Sequence, residues 1–206
     1  MIGPWRRRVS GVVVAGCVLA GCSSQEPPGP GDAPAGAVPE VSLPADTLTP
    51  LVPAPDEVPA GMVPLLTGSG PRDAAAVAAY SADPAAAAAA LAEHRFQSAY
   101  VAQYADPNGP QVLSVVVARF ADVAGATADL QGDLVASSGD ALEVGAVGET
   151  SQARRQALPG ATAGELVTLR FRQGRTTWLL AYGNQPQADP QVAVGLGRLL
   201  VERASG

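Results

Sequence analysis

The chain has 206 residues, 47% of them hydrophobic, and its 19 acidic and 13 basic residues give a net charge of −6 at pH 7. An acidic chain is a poor partner for nucleic acid or for the surface of anionic lipid, because both repel negative charge. The two cysteines, Cys17 and Cys22, both lie near the N-terminus. The rest of the chain therefore has no disulfide to hold it, and its fold must depend on packing.

The first 21 residues have the pattern of a cleaved export signal. Three arginines precede an uncharged run of 13 residues from Val9 to Gly21. That run is shorter than the ~20 apolar residues that span a bilayer, and small residues close it, as they do in secretory signals. Two alternatives remain: a plain secreted protein in which Cys22 is accidental, or an uncleaved apolar anchor.

Leu19-Ala20-Gly21-Cys22 ends this segment and resembles the lipobox of bacterial lipoproteins. The resemblance implies a diacylglyceryl group on the Cys22 thiol and cleavage between Gly21 and Cys22. It also implies a lipid anchor at the outer face of the cytoplasmic membrane, which two acyl chains hold stably where one is marginal. Cleavage removes three arginines, so the mature chain would carry ten arginines against nineteen acidic residues, a net charge of −9.

Residues 22–56 are expected to form a disordered linker. Ten prolines lie between Ser23 and Pro59, and no aromatic residue occurs from Ser23 to Ala79. Such a composition buries too little apolar surface to offset the chain entropy lost on folding. Proline also favours an extended chain of ~3.1 Å per residue, which suits a spacer. We therefore expect one domain, over residues 57–206.

The first half of this domain reads as a short edge strand, two helices and a hairpin. The edge strand is expected at residues 63–66. Asp73 is placed to cap a first helix, and Asp83-Pro84 to begin a second. Alternating apolar residues predict strands over 96–105 and 111–120, and the sequence Asp106-Pro-Asn-Gly109 between them predicts a turn.

The second half is expected to contain a helix, a second hairpin and a last helix. Asp122 is expected to begin a helix that runs to about Ser137. Residues 142–156 are ambiguous and are expected to include a loop packed by its valines. Strands are predicted over 165–172 and 175–182, with a tight turn at Gln173-Gly174, and Asp189-Pro190 starts the last helix.

The fold class predicted from this order is α+β. Consecutive strands joined by tight turns are antiparallel, so the sheet is expected to be built from two hairpins. The helices are expected to pack on one face of that sheet, and the disordered tether precedes it.

Several stretches of the domain are similar to lipoproteins and extracellular sensor domains of actinobacteria. They are residues 100–104, 119–122, 147–149, 169–174 and the final helix. The resemblance implies ligand sensing or a role in envelope maintenance. The sensor domains on kinases usually carry disulfides, and this chain departs from them in having none.

The sequence contains none of the common catalytic or cofactor-binding motifs, so no catalytic residue, metal ligand or cofactor is assigned. His94 is the only histidine, and a lone histidine near a helix end is more often structural. The sequence contains no nucleophile elbow, Walker motif, dinucleotide glycine pattern or calcium loop. The aspartates of the helix after Asp122 are expected to form a solvated face.

A group of five arginines within 22 residues is the one feature of the sequence that indicates a possible binding site. A guanidinium pairs well with carboxylate or phosphate, so the group could bind an anion, while surface ion pairs to neighbouring acids are the commoner alternative. The candidates are Arg154, Arg155, Arg170, Arg172 and Arg175.

These observations favour a membrane-anchored envelope lipoprotein with a non-catalytic domain that binds a ligand or a partner, either an envelope protein or a glycan. The alternative is a cell-wall or lipid-modifying enzyme with an unrecognised carboxylate site. Two convergent acids in a cleft would favour the enzyme, and an acid-free groove would favour binding. A purely structural spacer is the third interpretation.

Overall fold

The protein is described by a computed structural model that covers residues 47–132, 139–158 and 163–206. The predicted signal, Cys22 and most of the predicted linker lie outside these residues. The described part forms an antiparallel sheet of eight strands with four α-helices, which confirms the predicted α+β class. No helix within the described ranges has the length and hydropathy needed to span a membrane.

The two predicted hairpins form the centre of the sheet. β3 (Phe96–Ala105) pairs with β4 (Val112–Phe120), and β7 (Glu165–Gln173) pairs with β8 (Thr176–Asn184). β4 also pairs with β8, which joins the hairpins side by side. Both hairpins turn where glycine and turn-forming residues predict.

Four further strands extend the sheet on its two sides. β1 (Val63–Pro64) and β2 (Gly70–Arg72) both pair with β3. On the other side β6 (Thr150–Ala157) pairs with β7, and β5 (Asp140–Leu142) pairs with β6. The segment that was ambiguous in sequence thus contributes two strands joined by a loop in which Val147 is buried.

The helices lie on both faces of the sheet rather than on one. α4 (Pro190–Ser205) packs on one face, where Gly197 lies against Leu169 and Phe171. α1 (Ala74–Ala78), α2 (Pro84–Glu93) and α3 (Val123–Gln131) lie on the other. The physical reason is visible in β4, which is apolar on both sides and therefore has two surfaces to bury.

One face, here called the closed face, holds the main core. Its centre is formed by alternate residues of the four long strands, among them Val115, Val167, Phe171 and Leu180, all fully buried. Trp178 stacks on Phe171 with ring centroids 5.0 Å apart. α4 and an N-terminal segment cover these side chains.

That N-terminal segment, residues 47–62, is here called the arm. Leu48, Leu51 and Val52 are buried in the main core, and the indole Nε1 of Trp178 donates a hydrogen bond to the carbonyl of Leu51 at 3.0 Å. The compact unit therefore begins at Thr47, ten residues before the predicted domain boundary at 57. The prolines of this stretch indicated a linker, yet the leucines and valine between them are buried against the sheet.

Candidate functional site

The second face of the sheet, here called the groove face, is only partly covered. The C-terminal end of α2 and the first turn of α3 meet on this face. The backbone carbonyl of His94 lies so close to Gly125 that a Cβ there would come within 1.9 Å of the oxygen. Only glycine allows the two helices to approach so closely. Away from this contact, Val116 and Leu179 of the central strands are only half-buried, whereas Val101 and Ala118 are buried.

The uncovered part forms a cavity of ≈ 300 Å³ with an apolar lining. Its floor is formed by β3, β4 and β8, and its walls by α1, α2 and α3. Floor and wall residues include Val101, Val116, Ala118, Leu179, Val77 and Leu91. Concave apolar cavities of this size are typical of small-molecule sites, in which a few polar groups orient the ligand.

Three polar side chains lie at one wall of the cavity: Asp129 on α3, Arg170 on β7 and Thr177 on β8. All three are buried, and Asp129 is only 9% exposed. The Thr177 hydroxyl donates a hydrogen bond to Oδ2 of Asp129 at 3.0 Å. Burial raises the pKa of the Asp129 carboxyl, while Arg170, Thr177 and His94 oppose that rise.

Arg170 holds the end of α3 against the sheet. Its Nη2 donates to the backbone carbonyl of Asp129 at 2.8 Å and its Nη1 to that of Gly132 at 3.0 Å. Gln152 of β6 donates to the carbonyl of Leu130 at 3.0 Å. A guanidinium at a helix C-terminus satisfies carbonyls that lack intrahelical partners and interacts favourably with the helix dipole.

The five candidate arginines do not converge on one point. By strand register, Arg154, Arg170 and Arg172 share the groove face, Arg155 lies on the opposite face, and Arg175 is exposed at the hairpin turn. Arg172 forms an ion pair with Glu149 at 2.5 Å, Arg155 one with Glu165 at 3.5 Å, and Arg154 donates to the carbonyl of Gly139 at 3.1 Å. These contacts agree with the alternative interpretation, in which the arginines pair with neighbouring groups of the protein. Anion binding by these arginines stays a prediction.

Asp129 is the site residue that sequence reasoning missed. It had been assigned to a solvated helix face, whereas the structure buries it. The available signal was its position three residues after Ala126, which places it beside the apolar stripe of α3. Among the described residues, no three His, Cys, Asp or Glu side chains are grouped so that they could hold a metal ion.

A second cavity of ≈ 360 Å³ lies on the closed face, between the arm and β3. Prolines 50, 53, 55 and 64 contribute much of its lining, and it is more open than the cavity on the groove face. The groove face is the stronger candidate site, because it combines an apolar enclosure with a buried carboxylate.

Comparison with solved structures finds a similar fold in the extracellular domain of PknH from Mycobacterium tuberculosis. The TM-score is 0.54 at 13% sequence identity, and the match covers 75% of this chain and 93% of that domain. At this identity the similarity concerns the fold alone. No protein-family model matches the chain, and no curated protein matches it.

Proposed function

We propose that this chain is an extracytoplasmic binding domain that takes a predominantly apolar ligand in the cavity of the groove face. The observation that carries the proposal is an apolar cavity of ≈ 300 Å³ on a face that the helices leave partly open. A half-buried apolar surface of this kind costs free energy in water, and a bound ligand would remove that cost. The fold shared with an extracellular domain supports the location.

The cavity lining supports binding over catalysis. The enzymatic alternative, a cell-wall or lipid-modifying enzyme with a carboxylate site, would be favoured by two carboxylates that converge on one point, as in most glycoside hydrolases. Of the described residues that line the cavity, Asp129 is the only one with a carboxylate. One buried acid beside an arginine suits the orientation of a ligand better than a two-acid reaction.

Binding is tested by filling the cavity. Val116 is half-buried on its floor, so Val116→Trp places an indole where the ligand would lie. We expect the affinity for a neutral fluorescent probe, N-phenylnaphthylamine, to fall by at least about tenfold, the loss of ~1.4 kcal/mol. The matched control is Val112→Trp, on the same strand and face but 41% exposed and outside the cavity lining. Equal binding by both variants would contradict the proposal.

We further propose that lipid on Cys22 holds the domain at the outer face of the cytoplasmic membrane. The support is the sequence Leu19-Ala20-Gly21-Cys22 behind a short apolar run. Cys22→Ser is expected to move the protein from the membrane fraction to the soluble fraction. Intact mass of the wild-type protein should show a chain that begins at Cys22 with added lipid. A Cys22 start without lipid mass would rule the anchor out.

A further inference from the structure

The residues of β4 on the groove face become steadily more exposed along the cavity. Phe120 and Ala118 are buried. Val116 and Ser114 are half-buried, and Val112 is exposed. Alternate residues of a strand lie in a line on one face. The cavity therefore has an inner end near Ala118 and an outer end near Ser114, about 14 Å apart along the strand.

Two neutral polar side chains lie at the outer end. Gln103 of β3 and Ser114 of β4 are cross-strand partners, and both line the cavity. Across residues 47–132, 139–158 and 163–206, no hydrogen bond joins either side chain to another group of the protein, since the bond between Gln103 and Ser69 comes from the Gln103 backbone N–H. Both residues are half-buried, so their polar groups remain available to a ligand.

The Gln103 carboxamide lies in close contact with the loop at the edge of the sheet. A Cβ on Gly68 would come within 1.8 Å of its Oε1. The loop itself is fixed to β3, because the Ser69 hydroxyl accepts the backbone N–H of Gln103 at 3.0 Å and donates to the carbonyl of Leu65 at 2.7 Å. A carboxamide donates through its NH₂ and accepts through its oxygen. One that is held in place favours a ligand group that can do both.

We propose that the groove binds an apolar chain that ends in a neutral group able both to donate and to accept hydrogen bonds, such as a carboxamide, and that this group pairs with Gln103 and Ser114. The inference rests on the proposed function, because it assigns the ligand class of the same cavity. The chain lies along the apolar floor towards the inner end, and the end group lies at the outer end. A charged end group there would lose water without an opposite charge from either side chain.

The test compares four ligands of matched chain length in displacing N-phenylnaphthylamine: octanamide, methyl octanoate, octanoate and octylammonium. Octanamide can donate and accept, the ester can only accept, and the other two carry a charge. We expect octanamide to bind about tenfold more tightly than the ester, because an end group without a donor leaves the Gln103 oxygen unpaired. Both ions should bind more weakly than octanamide.

Gln103→Glu sharpens the test, because it puts a negative charge at the outer end with almost no change of shape. We expect the affinity for octylammonium to rise by about tenfold and that for octanoate to fall. A misfolded variant cannot produce that gain. Gln191→Glu makes the same change at an exposed position of α4, on the opposite face, and should leave all four affinities unchanged. Ser114→Ala should reduce the advantage of octanamide over the ester.

The outcomes separate this inference from the proposed function. If octanamide and the ester displace the probe equally from the wild type, the assigned end group is wrong and the cavity remains a binding site. If octylammonium gains nothing in Gln103→Glu, or if Ser114→Ala keeps the full advantage of octanamide, the end group does not lie at these residues and the inference fails. If neither the probe nor any ligand binds the wild type, the proposed function itself fails.

Discussion

The two faces of the sheet are made of similar residues and differ in what covers them. Leu179 and Leu180 are neighbours on β8 and point to opposite faces. Leu180 is fully buried under α4 and the arm, whereas Leu179 is half-buried in the cavity lining. The closed face is therefore the better packed of the two, and the groove face leaves apolar surface partly exposed, where we propose that a ligand binds. The comparison teaches that apolar strand residues alone do not reveal which face is fully covered and which is left partly open.

Truncation of these two leucines tests most directly whether the two faces differ in packing. Leu180→Ala should lower the free energy of unfolding by about 3 kcal/mol, because it leaves a void in close-packed surroundings. Leu179→Ala should cost about 1 kcal/mol, because its side chain already has one open side. Denaturant unfolding of both variants gives the two values. Equal losses would mean that the groove face is as much a core as the closed face.

Local signals predicted most of the elements that build these faces. Asp73, Asp83, Asp122 and Asp189 each accept a backbone N–H in the first turn of their helix, as side-chain caps do. The two hairpins follow from alternation and turn residues. In each case the determining contacts join residues close in sequence, so a single chain segment is enough to predict them.

The features that escaped prediction depend on contacts between distant residues. β6 carries Arg154 and Arg155 between polar residues, so its pattern lacks alternation and it forms through pairing with β7. Asp129 is buried where its carboxylate accepts a hydrogen bond from Thr177, 48 positions later in the chain. The arm packs because it contacts Trp178 and α4. These residues are distant in sequence, so no local pattern in the proline-rich stretch predicts the packing.

Gly125 tests whether the close contact between α2 and α3 determines the shape of the groove. In an unobstructed helix, alanine in place of glycine stabilises by about 0.5–1 kcal/mol. At Gly125 the new Cβ would instead come within 1.9 Å of the His94 carbonyl oxygen, so Gly125→Ala should destabilise the fold by about 2 kcal/mol. Gly195→Ala on α4 is the matched control, because among the described residues no atom outside the local backbone of its own helix lies within 4 Å of its Cβ position, and it should be stabilising.

The result at Gly125 also bears on binding. Separation of the end of α2 from the first turn of α3 would alter the walls of the cavity, so the affinity for N-phenylnaphthylamine should change in Gly125→Ala and stay constant in Gly195→Ala. A stabilised Gly125→Ala variant with unchanged affinity would show that the two helices do not depend on this contact.

The smallest expected effect concerns the arm that closes the other face. Arg203 of α4 donates to the carbonyls of Pro50 and Val52, each at 2.9 Å, and pairs with the Glu57 carboxylate at 2.5 Å. The hydrogen bond from Arg203, and then the one from the backbone N–H of Ala54, hold the pKa of Glu57 below its ordinary value. Arg203 thus fastens the arm to the last helix.

The sign of the pH dependence follows from that lowered pKa. The folded state holds the Glu57 proton less tightly than the unfolded state, so its contribution is complete above the ordinary glutamate value of about 4.3 and is lost as pH falls through the folded pKa. Glu57→Gln should therefore lower the free energy of unfolding by about 1 kcal/mol at pH 7 and flatten its decline between pH 5 and pH 3. Part of the decline should persist, since the backbone N–H of Gly174 and Arg172 lower the pKa of Glu149 as well. Exposed Glu202→Gln is the control. If it flattens the decline as much as Glu57→Gln does, the arm is not fastened through this pair, and the closed face would owe its cover to apolar packing alone.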